Sequence, residues 1–249
     1  MEAVVMATIS KVRESSRNAD INNLATRILK EFSKNDWSSD TYLSPILTEL
    51  TTLDDDFTLA LNRLEAYSQL AEKDEVRDEA IRALFYLVDG YTYIPLPKMK
   101  EAAAVIDAVL SQYGMGIQRE DYSAESARIN SLLTDLAEPD IVKAIANLKG
   151  MDDSISILAT AQEEFENIAM SQGELIAGKE SLASATRLKA EVIQITNGSL
   201  IEYMNVMSKV KPETFASISA DIAQFVKQNN ELAKRRTGKK PDEEKAEAE

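Results

Sequence analysis

Apolar residues recur every three or four positions along most of the chain, which is the spacing that places them on one face of an α-helix. The clearest run has successive spacings of 4, 3, 3, 4, 4 and 3 residues. Its members are Leu43, Leu47, Leu50, Leu53, Phe57, Leu61 and Leu64. The pattern predicts an all-α protein of about eight helices.

In the first half of the chain, four helices are predicted. Their expected bounds are 18–33, from Ser38 or Ser39 to about 71, from about 74 to Gly90, and from Pro97 to about 113. Lys73 and Asp74 are expected to form a reversal, so that the second and third helices make an antiparallel hairpin. Gly90 suits a helix C-terminus and Pro97 suits a first helical turn.

The second half of the chain repeats this scheme. Helices are predicted from Ser123 to about 136, from Pro139, through 155–171, from about 174 to 208 after a reversal near Gly173, and from Pro212 to about 236. Residues 237–249 carry no apolar face, so they are expected to form a disordered tail.

Two stretches roughly a hundred residues apart share one pattern, which indicates an internal repeat. Leu50–Phe57 (LTTLDDDF) matches Leu148–Ile155 (LKGMDDSI), and Ile21–Leu24 (INNL) matches Ile129–Leu132 (INSL). We therefore predict two tandem, related four-helix units with long antiparallel hairpins, at 17–116 and 117–236. Residues 1–16 form a separate N-terminal segment in this interpretation.

Composition removes most catalytic chemistry. The 249 residues include no cysteine and no histidine, so thiolate nucleophiles, zinc–thiolate sites and the commonest neutral-pH base are excluded. Carboxylates and lysines remain available. We expect a protein that is not an enzyme and that holds no cofactor and no metal.

Charge limits the partners. The formal net charge is −14, so the average surface should repel a phosphate backbone, and no nucleic-acid partner is expected. No run of about 18 apolar residues is present to span a membrane, and the N-terminal sequence lacks a basic segment before an apolar one. We expect a cytoplasmic protein with a protein partner, and homo-oligomers are a further option because amphipathic hairpins also pair between subunits.

Two acidic groups invite a metal or diphosphate site. Asp54–Asp56 and the pair Asp152-Asp153 lie on predicted helices, but adjacent helical residues point about 100° apart, and the neighbouring apolar residues favour a solvated flank for the acids. Glu163, Glu164 and Glu166 resemble the carboxylates of di-iron bundles, but those sites also use histidine.

Five residues are candidates for an interaction surface: Trp37, Arg77, Asp78, Tyr91 and Tyr93. Arg77 and Asp78 could bind a partner's charged groups, although an internal ion pair is the favoured alternative. Trp37 could contact a ligand or pack against the adjacent helix. Tyr91 and Tyr93 lie near prolines, where amphipathic aromatic side chains are typical contact points.

Four motifs in order resemble a known family. They are Lys73–Asp78 (KDEVRD), Ser111–Gly114 (SQYG), Tyr122–Leu133 (YSAESARINSLL) and Ala161–Phe165 (AQEEF). Together they resemble a functionally uncharacterised family of all-helical proteins from Bacteroidetes-type bacteria, some of which carry a haemagglutinin label. The resemblance implies a helical fold, and its label implies a surface adhesin, which the lack of a secretion signal does not match.

Our functional hypothesis is a non-catalytic protein that serves in protein–protein interaction or scaffolding, because the sequence contains no nucleophile–base pair, glycine-rich nucleotide loop or metal-ligand spacing. A haemagglutinin-like surface adhesin and a carboxylate-dependent metal binder or enzyme are the alternatives.

Overall fold

The computed structural model describes residues 8–173 and 184–237. Those residues are almost entirely helical and form no strand, which confirms the all-α class. The α-helices are α1 (Asn18–Phe32), α2 (Leu43–Thr92), α3 (Pro97–Tyr113), α4 (Tyr122–Leu136), α5 (Pro139–Ile145), α6 (Met151–Ser171), α7 (Ala185–Ile195), α8 (Ile201–Val210) and α9 (Pro212–Thr237). A 3₁₀ helix, Met115–Arg119, follows α3, and a π-helical segment, Thr196–Leu200, connects α7 to α8.

Helix α2 is continuous over 50 residues. The predicted reversal at Lys73 and Asp74 is therefore wrong, and so is the first predicted hairpin. The physical reason is that charged residues are good helix formers, and between Pro45 and Gly90 the sequence has no proline or glycine to end the helix. Gly90 itself lies inside α2, two residues before its end.

Local signals set most other helix ends. Asp40, rather than Ser38 or Ser39, begins α2, because its Oδ1 accepts hydrogen bonds from the main chain of Tyr42 (3.1 Å) and Leu43 (2.9 Å). Asp121, rather than Ser123, caps α4 in the same way. The expected first-turn prolines of α3, α5 and α9 are confirmed.

The chain forms two compact units, and the first comprises Met1–Leu64 with Gly178–Glu249. Its core is built by α1, the first part of α2, and helices α7 to α9. The most deeply buried members include Ile28, Leu50, Phe57, Met204 and Ile222. Ile9 and Val12 also belong to this core, although residues 8–16 are not helical.

The second unit comprises Glu65–Ala177. Its core is built by the rest of α2 with α3, α4, α5 and α6. Side chains that are fully inaccessible include Ile81, Leu84, Ile106, Leu132 and Leu158. Each helix thus buries one apolar stripe, as the spacing of the sequence predicted.

These compact units differ from the predicted segments 17–116 and 117–236. Each predicted segment contributes helices to both units, and residue 116 falls inside the second unit. The internal repeat stays a prediction about the sequence. The start of the predicted return helix at 174 and the predicted tail from 238 onwards lie outside the described residues.

Candidate functional site

Arg77 lies at the centre of a buried polar cluster in the second unit. Its side chain has no exposed surface. Nη2 lies 2.7 Å from Asp74 Oδ1 and 2.7 Å from Glu125 Oε2, which ties α2 to α4. The internal ion pair is therefore the correct alternative, and Arg77 is corrected from a surface residue to a core residue.

Further contacts fix the guanidinium of Arg77. Nη1 donates hydrogen bonds to Ser126 Oγ at 3.0 Å and to Gln162 Oε1 at 3.3 Å. The guanidinium carbon also lies 3.7 Å from the centroid of the Phe165 ring, a cation–π distance. Arg77 therefore links α2, α4 and α6 by charge, hydrogen bonds and ring contact together.

Glu125 and Asp78 complete the cluster. Burial raises the pKa of Glu125 to about 7, because the nearby charge of Arg77 offsets only part of the desolvation and Asp74 and Asp78 add negative charge. Burial also raises the pKa of Asp78, and Asp74 adds to that effect. A protonated Glu125 donates a hydrogen bond to Asp78. That proton accounts for Glu125 Oε1 and Asp78 Oδ1, two buried oxygens with no other partner among the described residues.

The same carboxylates are the candidate metal ligands within the described ranges. Asp74, Asp78 and Glu125 each offer an oxygen, and these oxygens lie within 4.8 Å of one another. Oxygen ligands of this kind suit Mg²⁺, Ca²⁺ or Mn²⁺. Arg77 already neutralises one of the three negative charges, and the proton of Glu125 neutralises a second.

Trp37 packs inside the first unit. Its Nε1 donates a hydrogen bond to the carbonyl of Phe32 at 2.9 Å, and its ring lies 5.8 Å from the ring of Phe32 and 5.3 Å from that of Phe215. The ring is partly buried by these contacts. Of the two alternatives for Trp37, the structure favours packing between helices.

The connection between α2 and α3 leaves one predicted residue free for contact. Tyr91 is anchored, because its hydroxyl donates to the carbonyl of Lys149 at 2.7 Å and its ring packs on the core of the second unit. Tyr93 is 79% exposed and Leu96 is 53% exposed. We call residues 93–97 the Tyr93 loop. It lines an open cavity of about 520 Å³.

Comparison with known proteins gives one match. The model of a family of unknown function, DUF6261, matches residues 67–230. The chain belongs to this family. The expectation of a functionally uncharacterised family is thereby confirmed. No curated protein and no solved structure matches the chain.

The DUF6261 match covers the whole Arg77 cluster and the Tyr93 loop, whereas Trp37 lies outside it. Sequence reasoning missed Asp74 and Glu125 as partners of Arg77. A usable signal was present, because Asp74 and Arg77 share one of the four resemblance motifs and Glu125 lies in another.

The acidic runs of this DUF6261 chain have different environments. Asp54 is buried, and it accepts hydrogen bonds from Asn22 Nδ2 at 3.0 Å and from Thr26 Oγ1 at 2.9 Å, so the predicted solvated position is wrong for Asp54. Burial raises the pKa of Asp54. Asp152 and Asp153 are exposed, as predicted. None of the helices that the structure describes is long and apolar enough to cross a membrane.

Proposed function

We propose that this DUF6261 protein is a non-catalytic interaction protein that binds a protein partner through the Tyr93 loop. The observation that carries the proposal is the exposure of Tyr93 and Leu96, at 79% and 53%, on a short connection between two helices of the second unit. Tyrosine is enriched among the residues that dominate binding energy at interfaces.

The loop is pre-organised for binding. Pro95 and Pro97 restrict its backbone, and Pro97 starts α3. The main-chain nitrogens of Tyr93 and Ile94 donate to the carbonyls of Gly90 and Tyr91, both at 3.3 Å. A loop already held in one conformation loses less entropy on binding, so more of the contact energy contributes to affinity.

A pair of matched variants tests the proposal. Tyr93→Ser with Leu96→Ser removes the exposed apolar surface of the loop, whereas Tyr42→Ser removes a tyrosine that is 75% exposed in the first unit. Each tagged chain is purified from native cells, and the recovered proteins are quantified against unmodified chain. We expect at least one partner to be lost with the loop variant and retained with Tyr42→Ser. Equal recovery of every protein by both variants would contradict the proposal.

Two other functions are separate hypotheses. The cluster of Asp74, Asp78 and Glu125 favours metal binding as a second candidate, and metal analysis of protein purified without a chelator tests it, since a metal-free protein would rule it out. The haemagglutinin label of the resemblance suggests an adhesin, and cell fractionation tests that idea.

A further inference from the structure

Two asparagines of the first unit hold the main chain of the N-terminal segment. Asn205 Oδ1 accepts from the nitrogen of Ile9 at 2.8 Å, and Asn205 Nδ2 donates to the carbonyl of Ile9 at 3.0 Å. Asn197 makes the same pair with Val12, at 2.7 Å and 3.0 Å. Each carboxamide thus uses its acceptor and its donor on one residue's N–H and C=O.

A third asparagine continues the arrangement on α9. Asn230 Oδ1 accepts from the nitrogen of Arg13 at 2.9 Å, and its Nδ2 donates to the carbonyl of Lys11 at 2.8 Å. Asn229 Nδ2 donates to Ser16 Oγ at 3.0 Å. We call the surface formed by Asn197, Asn205 and Asn230 the asparagine groove.

The asparagine groove separates main-chain recognition from side-chain recognition. Its six asparagine bonds all go to main-chain atoms, so they hold an extended segment whatever its sequence. Selectivity comes from Ile9 and Val12, which are 2% and 4% exposed, and from Ser16. The side chains of residues 10, 11 and 13–15 face solvent. This division is typical of peptide-recognition surfaces.

Two details of the groove also favour a peptide. Asn197 lies in the π-helical segment Thr196–Leu200, and such segments are rare and occur frequently at functional sites. Lys11 Nζ lies 3.9 Å from Glu202 Oε1, so the rim carries a negative charge beside the segment. That charge favours a basic residue between the two apolar ones.

We propose that the asparagine groove is a peptide-binding site, that residues 8–16 occupy it as an internal ligand, and that the partner it fits is an extended peptide with apolar residues three positions apart and a basic residue between them. The tethered segment competes at an effective concentration on the order of millimolar. The groove therefore accepts a separate peptide only after residues 8–16 leave. This site is independent of the Tyr93 loop, which belongs to the other unit.

Releasing the segment within the full chain tests the proposal. Ile9→Asp with Val12→Asp places two charges where burial is costly, so the segment should leave the groove. The matched control, Ser10→Asp with Ser15→Asp, adds the same charge at exposed positions of the same segment. A fluorescent peptide with the sequence of residues 8–16 is then titrated into each chain, and its anisotropy is followed.

We expect saturable binding to the released variant that is at least about tenfold tighter than binding to the unmodified chain or the control. Adding Asn205→Ala should weaken that binding by roughly tenfold, because two hydrogen bonds are lost. A peptide with aspartate in place of the isoleucine and valine should not bind. The proposal is overturned if the released variant keeps its helical circular dichroism but binds no peptide, or if all chains bind the peptide equally.

A second measurement covers the case in which the released variant does not fold. A protease site is inserted between Glu14 and Ser15 of the otherwise unmodified chain, at exposed residues. After cleavage and washing, the labelled peptide should take the place of the cut segment. A folded, cleaved chain that has lost the segment and takes up no peptide would overturn the proposal equally.

Discussion

The buried proton of Glu125 leads to a quantitative expectation for stability. Glu125 is 1% exposed, and burial is the main cause that raises its pKa from 4.5 to about 7. Glu125→Gln replaces the protonated acid by an amide of the same shape, which donates to Asp78 and does not titrate. Comparing this variant with the unmodified chain isolates the contribution of one proton.

The sign follows from proton binding in the two states. Below pH 4.5 Glu125 is protonated in both states, so it adds no pH dependence there. As pH rises from 4.5 to about 7, the unfolded chain releases this proton while the folded chain keeps it. The unfolded state is therefore favoured progressively, and the loss of folded-state stability is complete above about pH 7. Each pKa unit corresponds to about 1.4 kcal/mol, so the loss is about 3 kcal/mol.

Urea unfolding at a series of pH values, followed by circular dichroism, measures this loss. We expect the free energy of unfolding of Glu125→Gln, relative to the unmodified chain, to rise by about 3 kcal/mol between pH 4.5 and pH 8. Glu163→Gln, at an exposed glutamate of the same unit, is the control and should follow the unmodified chain. Parallel curves for Glu125→Gln and the unmodified chain would refute the reasoning.

Three further substitutions have definite expected outcomes in urea unfolding. Arg77→Met leaves Glu125 without its buried counter-charge and should cost about 3–5 kcal/mol, whereas Arg82→Met, at a partly exposed ion pair with Asp78, should cost less than about 1 kcal/mol; equal effects would contradict the internal role of Arg77. Glu72→Pro should cost about 3 kcal/mol or more because it interrupts α2, and a loss as small as that of Glu72→Ala would favour the predicted reversal instead. Trp37→Ala should cost about 2 kcal/mol through lost ring contacts with Phe32 and Phe215, and an unchanged midpoint would show that Trp37 does not stabilise the first unit.

Local sequence signals were sufficient for most helices and insufficient for one. Proline at the start of α3 and glycine after it act within a few residues, so the sequence predicted these bounds. The reversal at Lys73 and Asp74 failed because a charged pair is not a turn signal, and a helix ends where the backbone is forced to change. The sequence therefore predicted the helical class and misjudged how α2 connects its neighbours.

Contacts between distant residues set the limit for the sites. The asparagine groove joins residues 185 and 196 positions apart, so no local pattern could indicate it. The burial of Arg77 likewise depends on Glu125 in another helix. Exposure of Tyr93, in contrast, follows from a short proline-bounded connection, which the sequence did indicate.

Photocrosslinking in native cells tests the proposed interaction function most directly. A photoreactive phenylalanine analogue is placed at Tyr93 and, in a second chain, at Tyr42, which is similarly exposed in the first unit. The account predicts a discrete covalent adduct with another protein chain from position 93 and none of that mass from position 42. No adduct from position 93, or the same adducts from both positions, would contradict it.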